Sequence, residues 1–397
     1  MTITRTAGVT AAQGFRAAGV AAGVKKHGGL DMALVVNEGP QLTAAGVFTS
    51  NRFQAAPVLW SREILTDGEL RAVVLNSGGA NACTGAVGLE DAKEEAIHLA
   101  LQLTDAGIPT NAGQVAICST GVIGDRLPMP AILGGIEALP GLLGNTPEKG
   151  LEAATAIMTT DTVAKQSEYT SAAGWKVGGM VKGAGMIAPS LATMLCVITT
   201  DAIANQADLE AALRFSATYS FDRLDVDGST STNDTVLVMA NGASGVVANQ
   251  AELTEAIFAV CDDLADQMMS DAEGVTKCCI ITVMGAETEA DALTAARVVA
   301  RDNLVKTALF GQDPNWGRVL ATLGVAPVTM DVLKVTVAFN GKEVFANGGG
   351  LPDARSIDMT GDRIHVEINL GVGEESASIR TTDLSHAYVE INSAYTT

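Results

Sequence analysis

Residues 182–195, KGAGMIAPSLATML, decide how the chain is organised. A glycine-rich turn stiffened by Pro189 precedes Thr193 and the apolar run 194–198, which is typical of a buried strand. A threonine hydroxyl held rigidly against the preceding carbonyl can attack it, shift the acyl group from nitrogen to oxygen and release a new N-terminal threonine. That residue would carry nucleophile and base together, because an α-amine has an ordinary pKa of about 7.7–8.0. The segment predicts self-cleavage; an ordinary turn entering a sheet is the alternative.

The composition indicates a compact α/β protein of enzyme size. The chain has 397 residues, 42 glycines, 47% hydrophobic and 4% aromatic residues. Its formal net charge of −20 argues against nucleic acid and anionic membranes as partners, since both need clustered Lys and Arg. We find neither an apolar run of about 20 residues nor a signal-like N-terminus, so we expect a cytoplasmic protein.

Cysteine and histidine usage predicts no metal site. The six cysteines, which lack CxxC spacing, are predicted to be reduced core residues. The four histidines are too far apart in sequence for a zinc constellation.

Apolar runs and amphipathic patterns alternate along the chain, which predicts sheets covered by helices. Buried strands are predicted at 32–36, 72–75, 115–118, 194–198, 236–239 and 279–283. Amphipathic helices are predicted at 89–104 and 252–271. Alternating strands at 334–339 and 363–368 lead us to predict a catalytic core at 1–284 and a smaller α/β domain at 285–397.

Further strings resemble one family over nearly the whole chain. Together with residues 182–195, they resemble the bifunctional ornithine acetyltransferases of arginine biosynthesis, also called glutamate N-acetyltransferases. The strings are GFRAAGVAAG at 14–23, LNSGGANACTG at 75–85, CSTGVIGDRLP at 118–128, IMTTDT at 157–162, FDRLDVDGSTSTNDT at 221–235, DAEGVTK at 271–277, LFGQDPNWGR at 309–318 and LSHAYVEINSAYTT at 384–397.

The resemblance implies a four-layered α-β-β-α sandwich, cleavage between Ala192 and Thr193 into chains 1–192 and 193–397, and an α2β2 assembly. It also implies ping-pong transfer of acetyl from N2-acetyl-L-ornithine to L-glutamate through acetyl-Thr193. The products are L-ornithine and N-acetyl-L-glutamate. No cofactor is needed, because the acyl group is carried by the protein. Some relatives also accept acetyl-CoA, and the sequence leaves the use of that second donor open.

The resemblance assigns an oxyanion hole to Thr120 and Gly121, which follow the predicted strand 115–118. A tight turn would explain Gly121 equally well. For substrate binding it assigns Thr159, Lys182, Thr193, Glu273, Asn392 and Thr397. Thr160 stands beside Thr159 and leaves that assignment uncertain by one residue, and a helix cap made with Asp161 is the structural alternative.

Local patterns bear on three of these substrate-binding residues. Lys182 lies in an apolar, glycine-rich context, where a cation suits a substrate carboxylate. Glu273 follows the predicted helix 252–271, and a carboxylate at a helix C-terminus is unfavourable with the helix dipole. The run 387–392 predicts a strand packed into the domain, which would return Asn392 and the C-terminal tail to the active site.

Three function classes remain open. The first is the self-processed acetyltransferase. The second is an N-terminal-nucleophile amidohydrolase or aminopeptidase, in which water replaces glutamate as acceptor. The third is an uncleaved nucleotide-binding or regulatory protein. GAGMIA at 183–188 fits a dinucleotide fingerprint, but Pro189 interrupts the helix that must follow the glycines.

Overall fold

The structure, a computed structural model, describes residues 3–185 and 194–394. The chain forms two compact units. Among the described residues, one comprises those up to Asp222 together with Ser229–Met268, and the other comprises Arg223–Gly228 and those from Met269 onward. The predicted boundary at 285 therefore lies inside the second unit. The observed boundary differs from the predicted one because the strand at 278–286 pairs with strands that are distant in sequence and belongs to their unit. Local composition does not reveal such pairing.

The first unit contains two sheets and the helices that cover them. Its strands are β1 (Ile3–Thr4), β2 (Phe15–Val20), β3 (Met32–Asn37), β4 (Thr43–Phe48), β5 (Ala72–Gly79), β6 (Val115–Val122), β7 (Lys165–Thr170), β8 (Lys176–Lys182), β9 (Leu195–Thr200) and β10 (Thr235–Ala240). Its helices are α1 (Ala56–Ile64), α2 (Gly85–Asp105), α3 (Met129–Leu142), α4 (Pro147–Ala156), α5 (Gln206–Tyr219) and α6 (Gln250–Ser270).

The two sheets pack face to face. One has the strand order β2-β3-β5-β6 and the other has the order β1-β7-β8-β9-β10-β4. Alternate residues of β3 point to opposite faces: Ala33 and Val35 pack in the core that also holds Val197 and Leu237 of the larger sheet. The other face of β3 packs in a second core, which includes side chains of α2 and α3.

Helices cover both outer faces of this pair of sheets. Leu99 of α2 and Ile136 of α3 are buried against the smaller sheet. On the larger sheet, α5 contacts β4 and β10, and Gln267 of α6 donates to the backbone carbonyl of Gln166 in β7 at 2.9 Å. The order helix, sheet, sheet, helix confirms the predicted four-layered α-β-β-α class.

Within the described residues, the second unit contains a six-stranded sheet and four α-helices. Its strands are β11 (Cys278–Ala286), β12 (Thr336–Phe339), β13 (Lys342–Ala346), β14 (Gly349–Gly350), β15 (Arg363–Asn369) and β16 (Glu375–Thr382). Its helices are α7 (Glu289–Arg301), α8 (Asn303–Phe310), α9 (Trp316–Leu323) and α10 (His386–Ala394). The strand order is β14-β13-β12-β15-β11-β16, and Val366 packs in one core with Ala296 and Val299 of α7.

The prediction of a packed strand at 387–392 is wrong, because these residues belong to helix α10 and most of them are exposed. The Ser385 hydroxyl oxygen accepts from the Tyr388 backbone N–H at 3.0 Å, which caps the helix start. Tyr, Val and Ile in this run favour a strand by propensity. The capping serine was the overlooked signal.

The cysteine prediction is partly wrong. Four of the six cysteines are buried, but Cys83 is exposed and Cys278 is half-buried. All six lie in the described ranges and are free thiols there. Within residues 3–185 and 194–394, no helix is long and apolar enough to cross a membrane.

Candidate active site

Thr120 and Gly121 lie at the end of strand β6, inside a local irregularity of the sheet. The β5–β6 register shifts at Gly79, which is paired with both Thr120 and Val122. Gly121 has φ +130°, and a Cβ on it would come within 2.5 Å of the Gly78 carbonyl carbon, so this position requires glycine. The tight-turn alternative is wrong, because Gly121 lies within a strand. A bulge of this kind re-aims the neighbouring side chain.

Asn233 fixes the ends of β5 and β6 from the loop before β10. Its amide nitrogen donates to the backbone carbonyls of Ala80 at 2.6 Å and Ser119 at 2.8 Å. The Ser119 hydroxyl in turn donates to the Asn76 side chain at 2.5 Å. Buried hydrogen bonds therefore fix Ser119, the residue that precedes Thr120. Sequence reasoning missed Asn233, although it lies in the string 221–235.

Lys182 ends strand β8 with its side chain 2% exposed. Its Nζ lies 3.4 Å from Oγ1 of Thr120. Because an ammonium group only donates, the Thr120 oxygen accepts in this contact, and its own hydrogen is directed elsewhere. A hydroxyl polarised by a neighbouring cation is well suited to donate to a developing oxyanion.

The carboxylate of Asp161 links Lys182 to Lys165. Its Oδ1 accepts from Lys165 Nζ at 2.7 Å and from the backbone N–H of Gly183 at 2.7 Å. Its Oδ2 lies 3.9 Å from Lys182 Nζ. Burial alone would raise the pKa of this carboxyl, but Lys182 and Lys165 outweigh burial and bring the pKa down to about 2. Asp161 is therefore a charged, buried group that the sequence suggested only as a cap.

Thr159 lies in the connection between α4 and β7, and its backbone N–H donates to Asp161 Oδ2 at 3.0 Å. The helix-cap alternative is wrong, since α4 has already ended at Ala156 and the next element is strand β7. Thr159 and Thr160 are both partly exposed, so burial does not favour one over the other as a substrate contact.

The predicted cleavage site, Ala192 and Thr193, lies outside the described residues. The flanking strands nevertheless show where this connection begins and ends. Lys182 of β8 is paired with Leu195 of β9 in the antiparallel ladder, so the chain leaves the sheet and re-enters it beside the Lys182–Thr120 contact.

Asp234 holds the chain at its point of re-entry. Its Oδ1 accepts from the backbone N–H of Met194 at 3.0 Å. Burial raises the pKa of the Asp234 carboxyl well above its ordinary value, although hydrogen bonds and Lys182 oppose this shift. Sequence reasoning missed this residue as well; the one available signal was its position in the string 221–235.

Glu273 and Asn392, predicted to bind substrate, meet in the second unit. The Asn392 side-chain nitrogen donates to Glu273 Oε2 at 3.0 Å. Gly274 has φ +66°, and a Cβ there would come within 2.2 Å of the Tyr388 nitrogen, so glycine lets α10 approach the turn that carries Glu273. Helix α10 thus brings Asn392 to Glu273 by a route that the sequence did not predict. Thr397 lies outside the described residues.

Comparison with known proteins gives one consistent result. A model of the ArgJ family matches residues 16–397. The "Arginine biosynthesis bifunctional protein ArgJ" of Mycobacterium tuberculosis (strain ATCC 25618 / H37Rv) is 60% identical over 396 residues, which cover 98% of this chain and 97% of the relative. The protein of the same name from Thermobifida fusca (strain YX) is 50% identical over 389 residues, covering 98% of this chain and 100% of the relative.

Among solved structures, the chain is similar to an ornithine acetyltransferase from Mycobacterium tuberculosis in complex with ornithine. The matched residues of the two chains are 57% identical. The match covers 48% of this chain and 98% of that chain, with a TM-score of 0.47.

Proposed function

The chain belongs to the ArgJ family, and from this premise we propose that it is a self-cleaving acetyltransferase of arginine biosynthesis. It transfers acetyl from N2-acetyl-L-ornithine to L-glutamate through an acetyl-Thr193 intermediate. One observation supports this chemistry most directly: the Lys182–Thr120 contact lies where the connection containing Thr193 leaves and re-enters the sheet.

Self-cleavage comes first in this proposal. The Thr193 hydroxyl oxygen attacks the Ala192 carbonyl carbon, the peptide C–N bond breaks, and the proton lost by the hydroxyl passes to the nitrogen, which becomes the Thr193 α-amine. Water then hydrolyses the ester and leaves a carboxylate on Ala192. The freed α-amine is the base for the following acetyl-transfer steps.

Acetyl transfer then proceeds in two balanced half-reactions. Thr193 Oγ attacks the acetyl carbon of N-acetylornithine while the α-amine accepts the hydroxyl proton. The amide C–N bond breaks, ornithine nitrogen takes that proton, and ornithine leaves. The glutamate nitrogen attacks the acetyl carbon of the resulting ester, the C–O ester bond breaks, and the proton lost by that nitrogen returns to the oxygen of Thr193 through the α-amine. In each half-reaction Thr120 and Gly121 donate to the carbonyl oxygen as it becomes an oxyanion.

Substrate recognition is assigned to groups of opposite charge. We assign the α-carboxylate of the substrate to Lys182 and its side-chain ammonium to Glu273, with further contacts to Thr159, Asn392 and Thr397. No cofactor takes part. The relatives are named bifunctional, and we extend the proposal to acetyl-CoA as a second acetyl donor to glutamate.

The decisive assay incubates the purified protein with N-acetylornithine, with and without glutamate. The proposal expects N-acetylglutamate in amounts equal to the ornithine released, and little ornithine beyond one equivalent when glutamate is omitted. Continuous release of acetate without glutamate would instead favour an amidohydrolase. Replacing N-acetylornithine with acetyl-CoA tests the second donor.

We also propose that the cleaved enzyme assembles as two α and two β chains. Light scattering on the purified protein tests this: the expected mass is twice that of one cleaved polypeptide pair, and a mass equal to one pair would contradict it.

A further inference from the structure

The site contains more buried charge than the proposed chemistry uses. Asp161 and Lys165 have fully buried side chains, and that of Lys182 is 2% exposed. Sequestering such charges is costly unless each has a partner. The carboxylate of Asp161 lies within ion-pairing distance of both lysines, at 2.7 Å and 3.9 Å. One anion therefore serves two buried cations.

The same carboxylate also holds the backbone. Oδ1 accepts from the N–H of Gly183 and Oδ2 accepts from that of Thr159. Gly183 follows Lys182 directly and begins the connection that leads to Thr193. Asp161 thus fixes both the ammonium group of Lys182 and the backbone at which that connection starts.

We propose that Asp161 is a positioning residue, whose carboxylate holds Lys182 charged and directed at the Thr120 hydroxyl. The proposal rests on the proposed function in one respect, since acetyl transfer at Thr193 is the activity that would report it. In this role Asp161 acts through Lys182 and Thr120, and not by contacting the substrate or the reacting atoms.

The charges around this cluster come from several elements. Lys165 faces Asp161 from the start of β7. Asp234, before β10, interacts electrostatically with Lys182, and Lys25 interacts in the same way with Asp161. Burial disfavours the charged form of Asp234, whereas the carboxyl of Asp161 has a lowered pKa and stays ionised beside Lys182. Removing the charge of Asp161 should make Lys182 lose its proton at lower pH.

The primary test is Asp161→Asn, which keeps the shape and removes the charge. We expect kcat for acetyl transfer to fall at least about 10-fold at pH 8, and KM to rise as well, because Lys182 is also assigned to the substrate α-carboxylate. We also expect the alkaline limb of the kcat–pH profile to move to lower pH. If Asp161 only anchors a loop, activity should fall by the same factor at every pH.

Two further variants separate charge from shape. In Asp161→Asn/Lys165→Met the anion is lost together with one of the two cations, and we expect the alkaline limb to return toward its wild-type position. In Asp161→Glu the charge is kept, so the limb should stay in place even if kcat falls. A limb that moves equally in all three variants would overturn the proposal.

A readout without catalysis completes the test. In protein labelled with 13C at lysine Cε, the Lys182 resonance is identified by its loss in Lys182→Arg. It should titrate at lower pH in Asp161→Asn than in the wild type, and an unchanged titration would overturn the proposal. This measurement is independent of Thr193, so failure of the proposed acetyl transfer would not alter its interpretation.

Discussion

The ammonium nitrogen of Lys182 lies 3.4 Å from the hydroxyl oxygen of Thr120, although the two residues are 62 positions apart in the sequence. Lys182 ends β8 in one sheet, and Thr120 lies near the end of β6 in the other. The face-to-face packing of the two sheets brings these strand ends together. This contact joins two residues that the sequence resemblance assigned to different tasks, substrate binding and oxyanion stabilisation.

Loss of the Thr120 hydroxyl should impair catalysis more than binding. Thr120→Val keeps the side-chain shape but removes the donor, and we expect kcat to fall by roughly 10²–10³ with a small change in KM. Thr120→Ser, the matched control, keeps the hydroxyl and should retain most activity. Steady-state kinetics decides: a rise in KM alone would show that Thr120 binds the ground-state substrate.

Glu273 should discriminate between substrates by charge. N-acetylornithine carries a side-chain ammonium, so Glu273→Gln should reduce kcat/KM for it more than for a neutral N-acetyl amino acid of similar length. The exposed residue Glu374 offers a control, and Glu374→Gln should affect neither substrate. Equal losses for both substrates in Glu273→Gln would point to a structural role.

The C-terminal residues should contribute to substrate affinity. Deleting 395–397 removes Thr397 but leaves helix α10 and the Asn392–Glu273 contact in place. We expect cleavage to proceed normally and KM for N-acetylornithine to rise severely. Kinetics on the cleaved, truncated protein provides the measurement, and an unchanged KM would remove Thr397 from the site.

Glu95 should make stability depend on pH. It is buried in α2, and its Oε1 has no hydrogen-bond partner within the described ranges. Burial, with Asp91 and Glu94 adding to it, raises its pKa to about 8. The folded state therefore binds a proton that the unfolded state releases above about pH 4.5, the ordinary value for Glu. Stability contributed by the protonated group is complete below that pH and is lost as pH rises toward 8.

Denaturant unfolding at several pH values measures this effect. Relative to Glu95→Gln, the wild type should lose up to about 1.4 kcal/mol of unfolding free energy per pH unit between about pH 5 and 8. Parallel pH dependence in the two proteins would show that Glu95 does not titrate in this range.

The sequence predicted the buried strands well because their apolar runs are long and uninterrupted. β3, β5, β6, β10 and β11 contain the predicted segments, β9 begins one residue after the predicted start at 194, and α2 and α6 follow the predicted amphipathic stripes. Other strands were missed, among them β7 and β8. Their cores contain Gln166, Ser167 and two adjacent glycines, which lack the apolar periodicity on which such predictions depend.

The site could be predicted only in part, because several of its contacts join residues that are far apart in the sequence. Thr120, Lys182 and Glu273 were named through the resemblance, but Asp161, Asn233 and Asp234 act through contacts that no local pattern contains. The tail was predicted as a strand from side-chain propensity, whereas the Ser385 cap makes it a helix. Propensity is a weak guide where one capping hydrogen bond determines the start of an element.

The most direct test of the account is N-terminal sequencing of the purified, active enzyme alongside Thr193→Ala. We expect two chains in the wild type, 1–192 and 193–397, with Thr-Met-Leu at the start of the second. In the variant we expect one uncleaved chain without acetyl transfer, because one hydroxyl serves both steps. A fully active enzyme that yields only the Met1 terminus would contradict the account.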